Sequence, residues 1–340
     1  MTAKRIGAQL FHNLRGVLAT SKAAIKRNPA VREILYSLSN REMFSDLLWH
    51  ERMLTDTSRI EAYREGLRKH IKAGDVVFDL GTGTGILSLL ASLSRPKVIY
   101  AIEHSSFISV AEEIAARNGA DCIKFVRSNS RDFVPPERGD VIIHEQMGQL
   151  IFGENMIENL LDLKARALKP GGKILPGLFK LFVEPVVLKE QYRVPFIWEI
   201  PGLGFDFGHL QSNPQLSDFK TPRYHLRDIP NFEVEAFLGQ PQPLLEFDLN
   251  KISGEADIPR RFDVSREVVR DGQLDGLVIY FEAGFDESVG LSTSPLERQT
   301  NWRNVLLRKP MRSLRRGDKL DYTVSLPDLR DFATWTAEIK

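Results

Sequence analysis

The chain has 340 residues, which is enough for one large domain or two smaller ones. Its 46 basic and 45 acidic side chains nearly cancel, so the net charge argues against general nucleic-acid binding. The single cysteine, Cys122, excludes an intramolecular disulfide bond and a cysteine-built zinc site, and it favours a reducing compartment. No apolar run approaches the roughly 20 residues that a membrane-spanning helix needs. We therefore expect a cytoplasmic protein without a transmembrane segment or a metal site.

Residues 1–40 form a basic N-terminal segment. The first 32 residues contain seven basic side chains and no acidic one. Apolar residues spaced through this segment predict an amphipathic helix. Such a helix fits an organelle-targeting signal, a contact with an anionic surface or a substrate-guiding arm. It fits equally a solvated helix that packs on the domain that follows.

Residues 41–176 alternate between helical stretches and short apolar runs rich in β-branched residues. Apolar strands separated by helices predict a parallel sheet with helices on both faces, as in a Rossmann-like α/β domain. A helix from about Met156 to Leu168 is expected to end at Gly171 and Gly172, because glycine often follows the last helical turn. The predicted strands are 76–78, 98–102, 123–126, 141–143 and 173–175, and the other helices include 86–93 and 109–117.

Residues 177–340 have a different pattern. Short strand-like stretches at 181–187, 277–281 and 320–326 are separated by Pro, Gly, Asn and Asp. This pattern predicts an antiparallel β-barrel or sandwich. Residues 195–230 combine proline and glycine with large aromatic side chains that must be buried somewhere, so we expect this arm to pack against another subunit. The aromatic residues include Trp198, Phe205, Phe207 and Tyr224.

A glycine-rich turn follows the first predicted strand. Gly81, Gly83 and Gly85 let the backbone turn tightly and approach a ligand without a Cβ in the way. The turn lies at the carboxyl end of a parallel strand, where such sheets bind ligands. The Gly-x-Gly-x-Gly spacing favours S-adenosylmethionine, whose amino-acid ammonium Asp79 would meet. Glu103 ends the next strand and would accept hydrogen bonds from both ribose hydroxyls, although a nicotinamide cofactor or a solvated strand end also explains that acid.

Two glutamates, Glu145 and Glu154, lie nine residues apart on the loop after the fourth strand. A guanidinium is planar and permanently charged, and it offers paired N–H donors that carboxylates match bidentately. Two facing carboxylates would clamp a guanidinium and orient one nitrogen towards a methyl sulfonium. The alternative is a structural pair in which one acid caps the helix that starts near Asn155.

This loop resembles the double-glutamate loop of the protein arginine methyltransferases. Two more segments resemble signatures of that family and occur in the family's order, so the resemblance covers roughly residues 43–338. It implies a Rossmann-like methyltransferase domain, a β-barrel domain with a dimerisation arm, a head-to-tail homodimer, and S-adenosylmethionine as the cofactor. The matching residues are Glu145, Met147, Gly148, Glu154 and Met156 in the loop, His50 to Arg59 upstream, and Ser292 to Pro295 and Thr300 to Trp302 downstream.

The resemblance also implies individual roles. Arg59 would pair with the cofactor carboxylate and Glu103 with the ribose, while Glu145 and Glu154 would hold the substrate guanidinium. His50 and Met53 would line the space around the transferred methyl group on the cofactor side. Met53 and Met156 would shape the space near the accepting nitrogen. Trp302 would pack beside the substrate channel.

Asn301 occupies the position of a family histidine. In the family that histidine pairs with the acid that matches Asp56, a dyad proposed to position a catalytic glutamate or to help remove a proton. Asparagine forms hydrogen bonds but does not titrate. Proton relay through position 301 is therefore excluded, whereas orientation of Asp56 or Glu145 stays open. Glu145, Glu154 or water would have to accept the substrate proton.

Other departures from the family pattern concern the substrate entrance. Gln146 and Gln149 replace the usual aromatic residues of the double-glutamate loop. Asn40 and Arg41 stand where an aromatic pair of the lid is expected, although Phe44 matches one lid aromatic. We therefore expect the chemistry to be kept and the substrate to differ.

The adenine contact is less well defined by the sequence. Family members often use an acid after the third strand, where Ser130 and Asp132 lie. Asp132 is the available acid, but ungapped matching puts Arg131 at that position.

His144 is a candidate helper base beside Glu145, and a structural role at the strand end is the favoured interpretation.

The sequence therefore predicts an S-adenosylmethionine-dependent arginine N-methyltransferase that acts on a peptide or protein arginine or on free arginine. The alternatives are a methyltransferase for another small-molecule nucleophile and a non-catalytic dimeric scaffold. Met53 and Met156 match family members that form asymmetric dimethylarginine, but Asn301 changes the same neighbourhood, so monomethylation alone is also compatible.

Overall fold

A computed structural model describes residues 47–200, 204–221 and 223–340, except for the side chains of 217–219. The chain divides into two compact units, Met1–Glu51 and Arg52–Lys340. All three of the sheets described below belong to the second unit. The helix predicted within residues 1–40 and the lid positions Asn40, Arg41 and Phe44 lie outside the described residues.

A five-stranded parallel sheet confirms the predicted α/β architecture. Its strand order is β3-β2-β1-β4-β5, so β1 lies at the centre with β2 and β4 on either side. Every residue of β1 and β2 is buried, as expected for apolar strands covered on both faces. The strands are β1 (Val76–Leu80), β2 (Val98–Glu103), β3 (Ile123–Arg127), β4 (Gly139–His144) and β5 (Leu168–Leu175).

Five α-helices lie within the described residues, and the glycine stop predicted after the last of them is wrong. The helix that starts at Met156 ends at Ala167, because Leu168 is extended and begins β5. Gly171 and Gly172 therefore lie inside a strand, where the register between β4 and β5 shifts and Gly171 has a φ of +81°. The helices are α1 (Leu47–Thr55), α2 (Thr57–His70), α3 (Ile86–Ser92), α4 (Ile108–Arg117) and α5 (Met156–Ala167).

The described strands between Leu178 and Ile339 form antiparallel sheets, as predicted. The larger sheet has the strand order β7-β13-β11-β6-β8, and two further strands join it, because β12 pairs with β11 and β9 pairs with β6. A separate sheet has the strand order β10-β14-β15. The strands are β6 (Leu178–Leu188), β7 (Leu226–Ile229), β8 (Val234–Phe237), β9 (Leu245–Asp248), β10 (Arg261–Glu267), β11 (Gly272–Gly284), β12 (Gly290–Ser292), β13 (Asn304–Leu314), β14 (Lys319–Ser325) and β15 (Thr336–Ile339).

The described parts of the arm, residues 195–230, contain short 3₁₀ turns before β7. Phe196 stacks on Trp198 with ring centroids 4.8 Å apart, and the Arg308 guanidinium lies 4.1 Å from the centroid of Phe196. Trp198 and Tyr224 are thus half-buried against their own chain, whereas Phe205 is 79% exposed. An aromatic side chain this exposed is available for contact with another molecule.

Candidate active site

The glycine-rich turn lies between the end of β1 and the start of α3. Gly81, Gly83 and Gly85 have φ values of +75°, +51° and +80°. This left-handed region is accessible to glycine and strained for residues with a Cβ. The backbone N–H of Gly81 donates to the carbonyl of Ile102 at 2.9 Å, which ties the turn to the end of β2.

Asp79 lies on β1 just before this turn and is fully buried. Its Oδ2 accepts hydrogen bonds from the hydroxyls of Thr82 and Ser88, both at 2.6 Å. Its Oδ1 is buried and has no hydrogen-bond partner among the described residues. Burial raises the pKa of Asp79 to about 6. A buried carboxylate oxygen that lacks a partner is costly, and a cationic group of a ligand would supply that partner.

Glu103 ends β2 beside the same turn and is buried. One carboxylate oxygen accepts the N–H of Gly83 at 3.2 Å and the other accepts the N–H of Ser105 at 2.8 Å. Because a carboxylate has about four acceptor sites, these two bonds fix its orientation and leave capacity for ligand hydroxyls.

Ser130 and Asp132 lie on the loop after β3. The carbonyl of Ser130 accepts a hydrogen bond from Arg166 at 2.8 Å, and Asp132 is exposed. Their contact with adenine stays a prediction. The predicted contact of His50 with the cofactor also stays a prediction. His50 lies on α1 in the first compact unit.

Arg59 and Glu145 form a buried ion pair at the carboxyl edge of the sheet. Arg59 is only 2% exposed, and its two terminal nitrogens donate to the Glu145 carboxylate and to the carbonyl of Met53. Burial raises the pKa of Glu145, and the Arg59 guanidinium partly opposes that rise. The Trp302 ring centroid lies 5.9 Å from the centre of the guanidinium. Arg59 thus brings together three of the predicted site residues.

Asp56 holds two chain segments together through main-chain donors. One carboxylate oxygen accepts the N–H of Arg59 at 3.1 Å and caps α2, while the other accepts the backbone N–H of Asn301 at 2.6 Å. Asn301 itself is exposed. The contact between Asp56 and position 301 therefore uses a peptide N–H, which every residue except proline can provide.

Glu154 lies on a tightly crossed loop. A Cβ on Gly148 would lie 2.7 Å from the Cα of Gly153, so only glycine fits at this crossing. Burial and the nearby Glu145 carboxylate raise the pKa of Glu154 to about 8, although the Gly148 N–H opposes that rise. Met156 follows at the start of α5 and is fully buried.

His144 is a structural residue at the end of β4. Its Nε2 lies 3.0 Å from the carbonyl of Pro176, and its Nδ1 accepts the N–H of Gln146 at 3.3 Å. Burial lowers the pKa of His144 to about 4. Both ring nitrogens of the neutral imidazole are therefore engaged, which supports the structural interpretation over the helper base.

Three supporting residues were missed in the sequence. Thr82 and Ser88 hold Asp79, and Tyr63 donates its hydroxyl to the His144 carbonyl at 2.8 Å. Tyr63 lies four positions after Arg59 on α2, so the two side chains share a helix face. That spacing is the signal that could have identified Tyr63.

The described ranges contain no helix that is long and apolar enough to cross a membrane. Across those same ranges, no group of three or more His, Cys, Asp or Glu side chains is arranged to hold a metal ion.

Known proteins similar to this chain are methyltransferases. Residues 181–332 match the arginine methyltransferase oligomerization subdomain, and residues 60–192 match the ribosomal protein L11 methyltransferase family, PrmA. Protein arginine N-methyltransferase 6 of Xenopus tropicalis is 31% identical over 280 residues, which cover 78% of this chain and 79% of the relative. The ribosomal protein arginine N-methyltransferase rmt3 of Schizosaccharomyces pombe is 29% identical over 293 residues, 81% of this chain and 52% of the relative.

Solved structures show the same fold. The Trypanosoma brucei PRMT1 enzyme–prozyme heterotetrameric complex with AdoHcy matches with a TM-score of 0.70 and 25% identity, over 83% of this chain and 88% of that one. Protein arginine methyltransferase 10 of Arabidopsis thaliana matches with a TM-score of 0.68 and 21% identity over the same shares. The chain belongs to the protein arginine N-methyltransferase family, and it is an S-adenosylmethionine-dependent N-methyltransferase.

Proposed function

We propose that this enzyme methylates a guanidino nitrogen of arginine in a peptide or protein, with Glu145 and Glu154 as the guanidinium clamp. The observation that carries this proposal is the placement of both carboxylates. They lie on one loop at the carboxyl edge of the parallel sheet, close enough for the charge of Glu145 to raise the pKa of Glu154. Two neighbouring carboxylates in a buried site favour a cationic ligand, because its charge offsets their repulsion.

The residues around the glycine-rich turn fit S-adenosylmethionine. The orphaned Oδ1 of Asp79 would accept from the ammonium, and the anchored carboxylate of Glu103 would accept from the ribose hydroxyls. Arg59 would meet the cofactor carboxylate while keeping one terminal nitrogen on Glu145. When bound, this cofactor supplies an electrophilic methyl group on a positively charged sulfur.

The contribution of the clamp is orientation and charge. Methyl transfer needs little beyond alignment of the nucleophile with the methyl carbon, so holding the plane of the guanidinium in a fixed orientation is the main task of Glu145 and Glu154. A bound guanidinium favours the ionised form of Glu154. After transfer the extra proton leaves the substituted guanidinium, and the ionised carboxylate of Glu154 would accept it.

The test is a methylation assay with methyl-labelled S-adenosylmethionine and two substrate pools, a mixed peptide library containing arginine and free L-arginine. We expect label on guanidino nitrogens of peptides, located by mass spectrometry. Label on free arginine alone would replace the peptide substrate by a metabolite. Label in neither pool, with calorimetry showing that the cofactor binds, would contradict arginine methylation and favour another nucleophile.

The pH dependence of the reaction should follow Glu154. Only its ionised form attracts a guanidinium, which stays protonated throughout the accessible range. We expect kcat/KM, which reports the free enzyme, to rise with pH through an inflection at about 8 and to level off above it. The inflection in kcat should lie lower, because the bound guanidinium stabilises the ionised carboxylate. A kcat/KM that is flat between about pH 6 and pH 9 would contradict this assignment.

We also propose that the enzyme forms a homodimer through the arm. Two observations support this proposal, the exposed side chain of Phe205 and the match of residues 181–332 to an oligomerization subdomain. Phe205→Asp is expected to raise the dimer dissociation constant by about 10-fold or more, because it places a charge in an apolar contact. Analytical ultracentrifugation measures this shift. Val134→Asp is the matched control, since Val134 is 82% exposed and lies in the loop before β4. Equal dissociation constants for both variants would exclude Phe205 from the interface.

A further inference from the structure

The clamp residue Glu154 lies in an unusual backbone turn. Glu154 and Asn155 are consecutive non-glycine residues in the left-handed region, with φ/ψ of 61°/21° and 52°/34°. This conformation is unfavourable for residues with a Cβ and persists only where surrounding contacts hold it. The direction of the Glu154 carboxylate depends on that backbone, so the contacts that hold the turn also aim the clamp.

Asn159, on the first turns of α5, makes one of these contacts. Its Nδ2 donates to the backbone carbonyl of Glu154 at 3.2 Å, and its Oδ1 accepts from Nε of Arg131 at 3.2 Å. The side chain is only 9% exposed, so both hydrogen bonds are largely shielded from water. Arg131 in turn belongs to the loop after β3, where the cofactor adenine is expected.

Arg330 makes the second contact from the C-terminal part of the chain. Its Nη1 donates to Oδ1 of Asn155 at 3.3 Å. The same guanidinium lies 3.3 Å from a carboxylate oxygen of Glu158 and 3.7 Å from one of Glu255. Two carboxylates on separate elements thus fix the direction from which Arg330 reaches the turn.

We propose that Asn159 and Arg330 are positioning residues that hold the Glu154–Asn155 turn in its left-handed conformation and thereby aim the Glu154 carboxylate at the substrate. The proposal rests on the proposed role of Glu154. Both side chains act through the turn, since Asn159 contacts the carbonyl of Glu154 and Arg330 contacts the neighbouring residue. Loss of either contact would let the carboxylate swing away from the guanidinium, and displacements of about 1 Å at a reacting centre reduce rates by up to about 100-fold.

Asn159→Asp tests this role with almost no change in shape. The aspartate keeps the acceptor for Arg131 but loses the donor to the Glu154 carbonyl. We expect kcat to fall by about 10- to 100-fold, while the dissociation constant for S-adenosylhomocysteine, measured by calorimetry, stays within about 2-fold. Asn250→Asp is the matched control, because Asn250 accepts from the N–H of Ile174 at 2.8 Å and donates to its carbonyl at 3.3 Å, so the substitution removes a similar backbone contact outside the Glu154–Asn155 turn. It should leave kcat unchanged.

Arg330→Met provides an independent variant in case Asn159→Asp folds poorly. We expect a fall in kcat of about 10-fold, again without a change in cofactor affinity. Arg193→Met is its control, because the half-buried Arg193 pairs with Asp275 on β11 at 3.2 Å, outside the network of Arg330, Glu158 and Glu255. The double variant should lose less than the product of the single effects, since both act on one turn.

Two results would overturn the proposal. One is a wild-type kcat in folded Asn159→Asp and Arg330→Met proteins; the other is an equal loss in the Asn250 and Arg193 controls. Both are read against an active wild-type enzyme. If the wild-type enzyme itself does not methylate arginine, the proposed function fails instead, so the two failures are distinguishable.

Discussion

Replacing Glu154 by glutamine is expected to lower kcat for arginine methylation by about 10³-fold while S-adenosylmethionine still binds. Glutamine has nearly the same shape, so the loop crossing at Gly148 and Gly153 should persist. In the complex with substrate, the substitution removes the carboxylate charge that holds the guanidinium beside Glu145, and charges in such a buried site interact more strongly than they do in water. It also removes a carboxylate that would accept the substrate proton.

The measurement is a methyl-transfer rate at saturating substrate, together with calorimetric titration of S-adenosylhomocysteine into the same protein. Glu113→Gln is the control, because Glu113 is exposed on α4 and pairs only with Arg117 among the contacts in the described structure. A Glu154→Gln enzyme with a kcat within about 2-fold of the wild-type value would remove Glu154 from the reaction, and the guanidinium clamp with it.

Local features of the site could be read from the sequence because their spacing dictates their geometry. A glycine at every second position after an apolar strand predicts a left-handed turn, and Gly81, Gly83 and Gly85 all have positive φ. A strand that ends in an acid next to the central strand predicts a carboxylate at the same edge, where Glu103 contacts Gly83. Periodicity and chain order suffice for such predictions.

Features that depend on distant segments could not be read in this way. Nothing in the spacing of Arg330 and Asn155, which are 175 positions apart, indicates their hydrogen bond. The incorrect prediction of a glycine stop at Gly171 has a local cause instead. Glycine pairs end helices often, but here the parallel pairing of β4 with β5 stabilises an extended chain from Leu168 onwards and overrides that preference.

Position 301 illustrates a different limit of prediction from the sequence. The family histidine is a side-chain signal, so its replacement by Asn301 excluded proton relay and left the orientation of Asp56 open. The structure instead connects the two through the peptide N–H of Asn301 at 2.6 Å. A backbone contact of this kind leaves no trace in residue identity, and it explains how Asp56 is held without a histidine.

Arg59 links the two halves of the site, since the same buried guanidinium is predicted to meet the cofactor and is paired with Glu145. Its charge opposes the rise in the pKa of Glu145 that burial causes. Without Arg59, the pKa of Glu145 would rise further, so a larger fraction of this carboxyl would be protonated at neutral pH and unable to attract a guanidinium. The integrity of the clamp therefore depends on a residue that belongs to the cofactor side.

Arg59→Met is accordingly expected to lower the free energy of unfolding by about 3 kcal/mol, because it leaves the Glu145 carboxylate and the Met53 carbonyl without their buried donor. We further expect S-adenosylhomocysteine affinity to fall by about 100-fold or more, because a charge-assisted contact with the cofactor carboxylate is lost. Urea unfolding and calorimetry measure the two effects, and Arg59→Lys, which keeps the charge but not the planar fork, should give intermediate values. Wild-type cofactor affinity in Arg59→Met, with reduced stability alone, would show that Arg59 supports Glu145 without binding the cofactor. The shared-guanidinium account would then be wrong.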